Sequence, residues 1–319
     1  MSSSEQMAPE GVPFEHVTVL RDEVVSALAP RPDGIYLDVT LGGGGHAEAV
    51  LRACDPGGRL VGLDRDPSAR FAAGRRLAPF GPRVTVVDAT MSRAAQVLES
   101  MGLVGVDGVV ADLGVSSPQL DDGARGLSFR SEGPLDMRMD PTRGETARDL
   151  IDRLDDRALA DVLYELGEER ASRPIARSIL RARDEGRLET TLDLARAVYR
   201  VLGPPRKGRG ADPATRTFQA LRIAVNDELG ELDALLAALP SLLVEGGIAA
   251  IISFHSLEDR KVKWAFRENP WLDVVTRRPL EASETEQRTN PRSRSAKLRV
   301  ARRRATPSMD GHETMEDQP

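Results

Sequence analysis

IYLDVTLGGGGHA, residues 35–47, is the stretch whose reading decides the fold. Ile35, Leu37 and Val39 make a short apolar run, Thr40 and Leu41 carry it onward, and consecutive glycines then lead into HAEAVLRAC, which has helical spacing. The order is buried strand, turn, helix start. Glycines at such a turn let the backbone take positive φ and let a ligand lie against the main chain, while a helix N-terminus presents free N–H groups. A merely flexible glycine loop needs neither the strand before it nor the helix after it.

Two ligand classes fit. Gly42-Gly43-Gly44-Gly45-His46-Ala47 satisfies G-x-G-x-x-A for a dinucleotide, and an acidic residue about 20 positions on, Asp64, ends the next apolar run as a ribose acceptor should. The same arrangement serves the nucleoside of S-adenosylmethionine. Taken alone, the motif leaves an NAD(P)-dependent oxidoreductase and a methyl-donor enzyme equally open.

Outward from the turn, strands alternate with helices. A strand at 59–63 ends at Asp64-Arg65-Asp66-Pro67, with Pro67 placed for the first turn of a helix to about Ala78. Strands at 83–87 and 106–111 follow, separated by a helix at 92–101, and the last ends at Asp112. Upstream, a helix from Thr18 has Leu20, Val24 and Leu28 on one face and is stopped by Pro30 and Pro32. This alternation implies right-handed crossovers and a doubly wound, mostly parallel α/β sheet. From 121 to about 225 the helical pattern dominates, after which Ile248 to Ser253 supplies another strand. The expected organisation is therefore a sheet domain over 14–120 and 226–304 interrupted by an inserted helical domain at 121–225, with 1–13 and 305–319 disordered. The insertion leaves just after Asp112, at the carboxyl end of a strand, and should roof the site there. A helix at 257–267 precedes strands at 271–276 and 296–301, which pair to close the sheet, and GPPRKGRG at 203–210 reads as a mobile loop.

The chain has 319 residues, 40% of them hydrophobic and 29% charged, as in a soluble globular protein. The net charge of −6 conceals a segregation. Arg288, Arg292, Arg294, Lys297, Arg299, Arg302, Arg303 and Arg304 form a basic segment with no intervening acid, whereas 310–317 is acidic. That segment suits local contact with a polyanion or, equally, a solvated basic strand pair. A lone cysteine, Cys54, permits no intramolecular disulfide. No apolar run reaches membrane-spanning length and the start lacks an export signal, so a cytoplasmic protein without membrane contact is expected. His16, His46, His255 and His312 are scattered, and no metal site is expected. Association into a homodimer is left open.

The stretch Asp112-Leu113-Gly114-Val115-Ser116-Ser117-Pro118-Gln119 puts an acid and a proline-stiffened polar loop at the end of the fourth strand. Transfer to an exocyclic amine needs acceptors that hold its N–H groups and turn the lone pair toward the electrophile, about 3–3.5 Å away in line. Asp112, Ser116 and Pro118 fit that task; an Asp-capped turn into the insertion is the plainer reading. His255, ending the later strand, would accept a proton or make a structural hydrogen bond. Asp136, Arg138 and Asp140 form an ion-pair network or bring Arg138 to a phosphate. Arg216 and Arg222 flank Phe218 and Gln219, as phosphate contacts about a stacking ring or as a helix face around a core phenylalanine.

Several long motifs in one order resemble the bacterial ribosomal RNA small-subunit methyltransferase H family. They are HVTVL from His16, the GGGGH turn, LDRDP from Leu63, DLGVSSPQLDD from Asp112, GPLDMRMDPTRG from Gly133, ATRTFQALRIAVN from Ala214, ISFHSLEDR from Ile252 and NPRSRSAKLR from Asn290. The resemblance spans about Phe14 to Arg303. It implies a class I, Rossmann-like fold, S-adenosylmethionine as cofactor, and methylation of the 4-amino group of a cytidine in the decoding region of 16S rRNA. It also implies cofactor contacts at Gly44, Gly45, His46, Asp64, Asp112 and Gln119. Where the family often has Phe against the adenine this chain has Met91, whose thioether packs on a purine too. The remaining alternative is an rRNA-binding assembly factor that has lost activity, against which the intact Asp64, Asp112 and Gln119 stand.

Overall fold

The computed structural model describes residues 18–206 and 210–305. Segment 1–13 and the tail from 306, both read as disordered, lie outside the described residues, as do the centre of the 203–210 loop, His16 and His312.

The opening half alternates as its apolar runs require: α1 (Arg21–Leu28), β1 (Ile35–Asp38), α2 (Gly45–Ala53), β2 (Arg59–Asp64), α3 (Pro67–Leu77), β3 (Val84–Asp88), α4 (Ala94–Ser100) and β4 (Val106–Asp112). A short α5 (Ser117–Asp121) precedes α6 (Ala147–Arg153), α7 (Asp156–Gly167), α8 (Ser172–Asp184), α9 (Thr191–Leu202) and α10 (Thr215–Asn226). Then come α11 (Glu228–Leu242), β5 (Leu243–Ser253), α12 (Ser256–Glu268), β6 (Leu272–Val274), α13 (Glu284–Thr289) and β7 (Lys297–Arg303).

The strands make one seven-stranded sheet in the order β3-β2-β1-β4-β5-β7-β6. β3 through β5 are parallel neighbours, and β7 runs antiparallel between β5 and β6. Each face is covered. Val24, Leu28, Val50, Leu51 and Leu77 from the first three helices pack on Tyr36, Leu60 and Ile252. Leu98, Leu232, Leu239, Val262 and Phe266 pack on the alternate residues Leu37, Val61 and Ile251. Burial on both faces is why these strands read as continuous apolar runs. The doubly wound, mostly parallel sheet is thus the one expected, down to the β6–β7 pair. The chain order reverses between β1 and β4, which is where such sheets bind ligands.

Two elements depart from the reading. β5 starts at Leu243 rather than at Ile248; its pairing with β4 slips between Val106 and Gly108, and Gly246 takes φ 77° there. The polar Glu245-Gly246-Gly247 run masks this bulged start. α11 has no counterpart among the elements expected from the sequence, although its Leu232, Leu235, Leu236 and Leu239 lie on the core.

Between β4 and α11, helices α6–α10 enclose a core of their own, including Ile151, Leu159, Leu163, Ile175, Ile179, Val198 and Leu221. The segment from 122 to 146 is not helical beyond one 3-10 turn at Gly123–Arg125. Pro134 bridges to Thr190, and the segment is pinned by ion pairs. Arg138 donates to both oxygens of Asp136 at 2.8 and 2.7 Å, so the network reading holds there. At the end of α10 the buried Asn226 stitches this segment in place. Its Nδ2 donates to the carbonyls of Met137 and Arg222, its Oδ1 accepts from the Met139 amide, and its carbonyl accepts from Arg65.

Phe218 is 4% exposed and meets Phe129 edge-on at 5.0 Å, so it belongs to the core and offers no stacking face. Arg222 makes a bidentate pair with Glu228 at 2.7 and 2.9 Å and faces inward, not toward a phosphate. The basic segment is likewise answered from elsewhere in the chain. Arg299 is 7% exposed and held by Asp259, Lys297 pairs with the same carboxylate, Arg292 with Asp121, Arg288 with Glu284 and Arg304 with Asp273. Arg303 donates to the Leu243 carbonyl. Among the described residues Arg302 stays exposed and unpaired.

Candidate active site

The four strands β3, β2, β1 and β4 each end on an aspartate: Asp88, Asp64, Asp38 and Asp112. A cleft opens over the carboxyl ends of the inner three. Its walls include Gly42, Gly43, Gly45, His46, Asp64 and Met91 on one side, Asp112, Ser116 and Gln119 on the other, and Phe254 and Glu258 beyond. Met139 is the one wall residue taken from the 122–146 segment, and α6–α10 contribute none. The 122–146 segment therefore touches this cleft, and helices α6–α10 do not.

The glycine turn is built by its neighbours. Asp64 Oδ2 accepts from the Gly42 amide and Oδ1 from the Asp66 amide, both at 2.8 Å. Gly42 and Gly44 take φ 50° and 78°, and α2 starts at Gly45. A Cβ on Gly44 would press on Leu77 and Ala73 of α3, and one on Gly45 would collide with the Thr18 hydroxyl. Gly44 thus serves the packing of α2 on α3 and does not line the cleft, whereas Gly43, which is not among the contacts the resemblance implies, does. Burial pushes the Asp64 carboxyl up to about 6 against the pull of its two amide donors.

Asp38 was missed, although it ends its strand as Asp64 and Asp112 do. It is 2% exposed, accepts from the Thr40 amide at 3.0 Å, and is pushed up to about 6 by burial, with His46 pulling the other way. Thr40 Oγ1 in turn accepts from the Asp112 amide at 2.6 Å. His46 is 5% exposed, and its Nε2 lies 3.6 Å from Asp112 Oδ2, too far for a hydrogen bond. Both ring nitrogens of His46 and Oδ1 of Asp112 are buried without a partner. Buried polar groups are paired in the great majority of cases, and leaving one unpaired costs about 1–3 kcal/mol. Three such atoms converging in one cleft mark a place for a polar ligand.

The Ser116–Gln119 loop is fixed from both sides. Gln119 Oε1 accepts from the Ser116 amide at 2.8 Å, and its Nε2 donates to Asp66 at 2.7 Å. Asp66 also takes the Arg125 guanidinium at 3.0 Å and caps α3 through the Ser68 amide. Pro118 sits at the start of α5 and stiffens the loop without lining the cleft.

His255 does not line the cleft either. It caps α12, with Nδ1 accepting from the Glu258 amide at 3.4 Å and Nε2 standing 3.2 Å from Glu258 Oε1. Glu258 lies in the wall in its place. Burial opposes its charge, but His255 and the Phe254 amide hold it below the usual carboxylate range. Glu228, His255 and Glu258 bring one ligand atom each to within 4.8 Å of one another, so the histidine is less isolated than the sequence suggests. Arg222 already meets the Glu228 charge. No helix among the described residues is long and apolar enough to cross a membrane.

Curated relatives carry the name Ribosomal RNA small subunit methyltransferase H. That of Sorangium cellulosum is 56% identical, covering 91% of this chain and 91% of its own length. That of Synechococcus sp. (strain CC9311) is 54% identical over 94% and 97%, and that of Geobacter sp. (strain M21) 48% over 90% and 98%. The solved precorrin-6y C5,15-methyltransferase of Geobacter metallireducens superposes with a TM-score of 0.40 at 10% identity, over 89% of this chain and 88% of its own. The family model described as MraW methylase matches residues 13–304, nearly the whole described chain, and the protein belongs to that family.

Proposed function

We propose that this protein is a cytoplasmic enzyme that transfers a methyl group from S-adenosylmethionine to the exocyclic 4-amino group of a cytidine in the decoding region of 16S rRNA, with that rRNA or the small ribosomal subunit as its partner. The observation that carries the reading is the cleft at the sheet's switch point, where both ring nitrogens of His46 and Oδ1 of Asp112 are buried without a hydrogen-bond partner. The name borne by the relatives points the same way.

The residues present fit the donor. Gly42, Gly43 and Gly45 let the main chain come close, and Asp64 stands where ribose hydroxyls need an acceptor. Met91 offers a polarisable surface to a purine, and the Gln119 amide borders the same space. When bound, the donor supplies an electrophilic methyl carbon on a sulfonium. The protein's own part is orientation. Asp112 Oδ1 and the Ser116 hydroxyl accept the N–H groups of the target amine, and Pro118 keeps their loop stiff. Holding reacting groups in a near-attack arrangement accounts for most of the rate gain in such a transfer. A dedicated base is unnecessary: a methylated amine cation loses its proton to water, and His255 does not line the cleft. A cytidine inside folded rRNA has to leave its stack to reach the cleft.

Transfer of labelled methyl groups to immature small subunits tests this, and incorporation at a single cytidine is expected. The donor, and not a nicotinamide nucleotide, should raise the melting temperature, since saturating ligand adds several kcal/mol at about 1,000 times its dissociation constant. Stabilisation by the nicotinamide, or donor binding without any transfer, would overturn the reading in favour of an oxidoreductase or an inactive assembly factor.

A further inference from the structure

We propose that the outward stripe of α12, continued onto Trp271, is an RNA-docking surface that holds the strand flanking the target base. The inference rests on the rRNA reading above and adds the place where the nucleic acid lies. The chain has only two tryptophans, Trp264 and Trp271, and both are on the surface, 44% and 46% exposed. Large aromatic rings are normally drawn inside, so two left in solvent within one short stretch need a reason.

Their surroundings identify the partner chemistry. Arg260, Lys263, Trp264 and Arg267 recur at helical spacing on one exposed stripe. Lys263 Nζ and the Arg267 guanidinium lie 5.5 and 5.6 Å from the Trp264 ring centre. Neither forms an ion pair among the described residues, whereas Arg260 is met by Glu168 and Lys261 by Asp233. In an acidic protein whose basic β7 segment is almost wholly paired, these are cations with no acid partner, held only against an exposed ring. Stacking rings interleaved with unpaired cations suit a single-stranded nucleic acid, where bases stack and phosphates take the charge. Glu268 is also exposed in the adjoining groove, so stacking rather than net charge carries the affinity.

The stripe lies on the helix that borders the cleft, on the face opposite the buried Glu258, Val262 and Phe266. The first turn of α12 places Glu258 in the cleft wall, and its 13 residues span about 20 Å toward Trp271. A base drawn into the cleft leaves its neighbours to run along that helix.

The two tryptophans make the test direct, because intrinsic indole fluorescence of the full chain reports this surface and no other. A short RNA hairpin with a cytidine-containing single-stranded loop should quench it saturably, and Trp271→Phe should leave the Trp264 response. Trp264→Ala should weaken RNA affinity about tenfold while the donor still raises the melting temperature. Removing both Lys263 and Arg267 should lower the salt-dependence slope by about 1.4. Tight RNA binding with unchanged fluorescence, or unaltered affinity in Trp264→Ala, overturns the proposal. So does quenching by small-subunit proteins but not by RNA, or by a second copy of this chain on raising its concentration. Methyl transfer to immature small subunits, measured with the same protein, separates the two readings: quenching by the hairpin without that transfer defeats the catalytic proposal, and transfer without quenching defeats this one.

Discussion

The cleft at the switch point and the basic segment at 288–304 both stand out in the sequence as clusters of ionisable side chains, yet the fold treats them in opposite ways. In the basic segment the cations find acids from distant parts of the chain, as Arg299 finds Asp259 and Arg292 finds Asp121. In the cleft, His46 and Asp112 are brought to 3.6 Å, yet both ring nitrogens and Asp112 Oδ1 are left without a hydrogen bond. Charge density alone does not mark a binding surface. What sets the cleft apart is that three buried unpartnered atoms, two on His46 and one on Asp112, belong to residues lining one space. Arg292 Nη1 and Arg303 Nε, by contrast, belong to side chains otherwise held by Asp121 and the Leu243 carbonyl.

The sharpest break of that contrast is to unpair a satisfied charge. Arg222→Ala strands Glu228 in the interior and should cost about 3–5 kcal/mol in denaturant unfolding; a change under about 1 kcal/mol would mean that water reaches Glu228. On the other side, Asp112→Ala removes an atom that has no internal partner. It should leave the melting temperature of the unliganded protein within a few degrees while lowering methyl transfer on the order of 100-fold or more. Full activity would remove Asp112 from the site.

Asp38→Asn falls between these. Burial raises the folded carboxyl to about 6 from an ordinary 3.8, so the folded state holds its proton more tightly than the unfolded chain does. Asp38 therefore costs nothing below about pH 4 and progressively more as pH rises through 6. The Asp38→Asn protein should be the more stable of the two at pH 8, by roughly 1–3 kcal/mol, with the advantage gone at pH 4; thermal melts at the two pH values decide it. The smallest effect belongs to Arg302→Ala, which should stay within about 0.5 kcal/mol of the parent protein. A larger loss of RNA affinity there than in Trp264→Ala would return the docking surface to β7.

The sheet was legible because buried parallel strands announce themselves as apolar runs and because Gly, Pro and Asp punctuate them. Asp64, Asp112 and the glycine turn followed from their places at strand ends, and Asp38 was open to the same argument. Other features depend on contacts that spacing does not carry. Gly43 and Gly44 differ only in which way the turn rotates them. His255 and Glu258 exchange places because the histidine caps a helix, and Phe218 is claimed by Phe129 from across the helical layer. Arg222 looked like a phosphate ligand because its carboxylate partner begins α11, an element the pattern did not reveal.

Asn226 has a mechanical consequence. One amide side chain and its carbonyl join the end of α10, the backbone at Met137 and Met139, and Arg65 in the cleft wall. Of these bonds only the one from Arg65 crosses from the sheet to the helical layer, so a swing of that layer has to break it, at roughly 0.5–1.5 kcal/mol. With the Arg125–Asp66 pair at 3.0 Å, that bond ties the helical layer to the sheet beside the cleft.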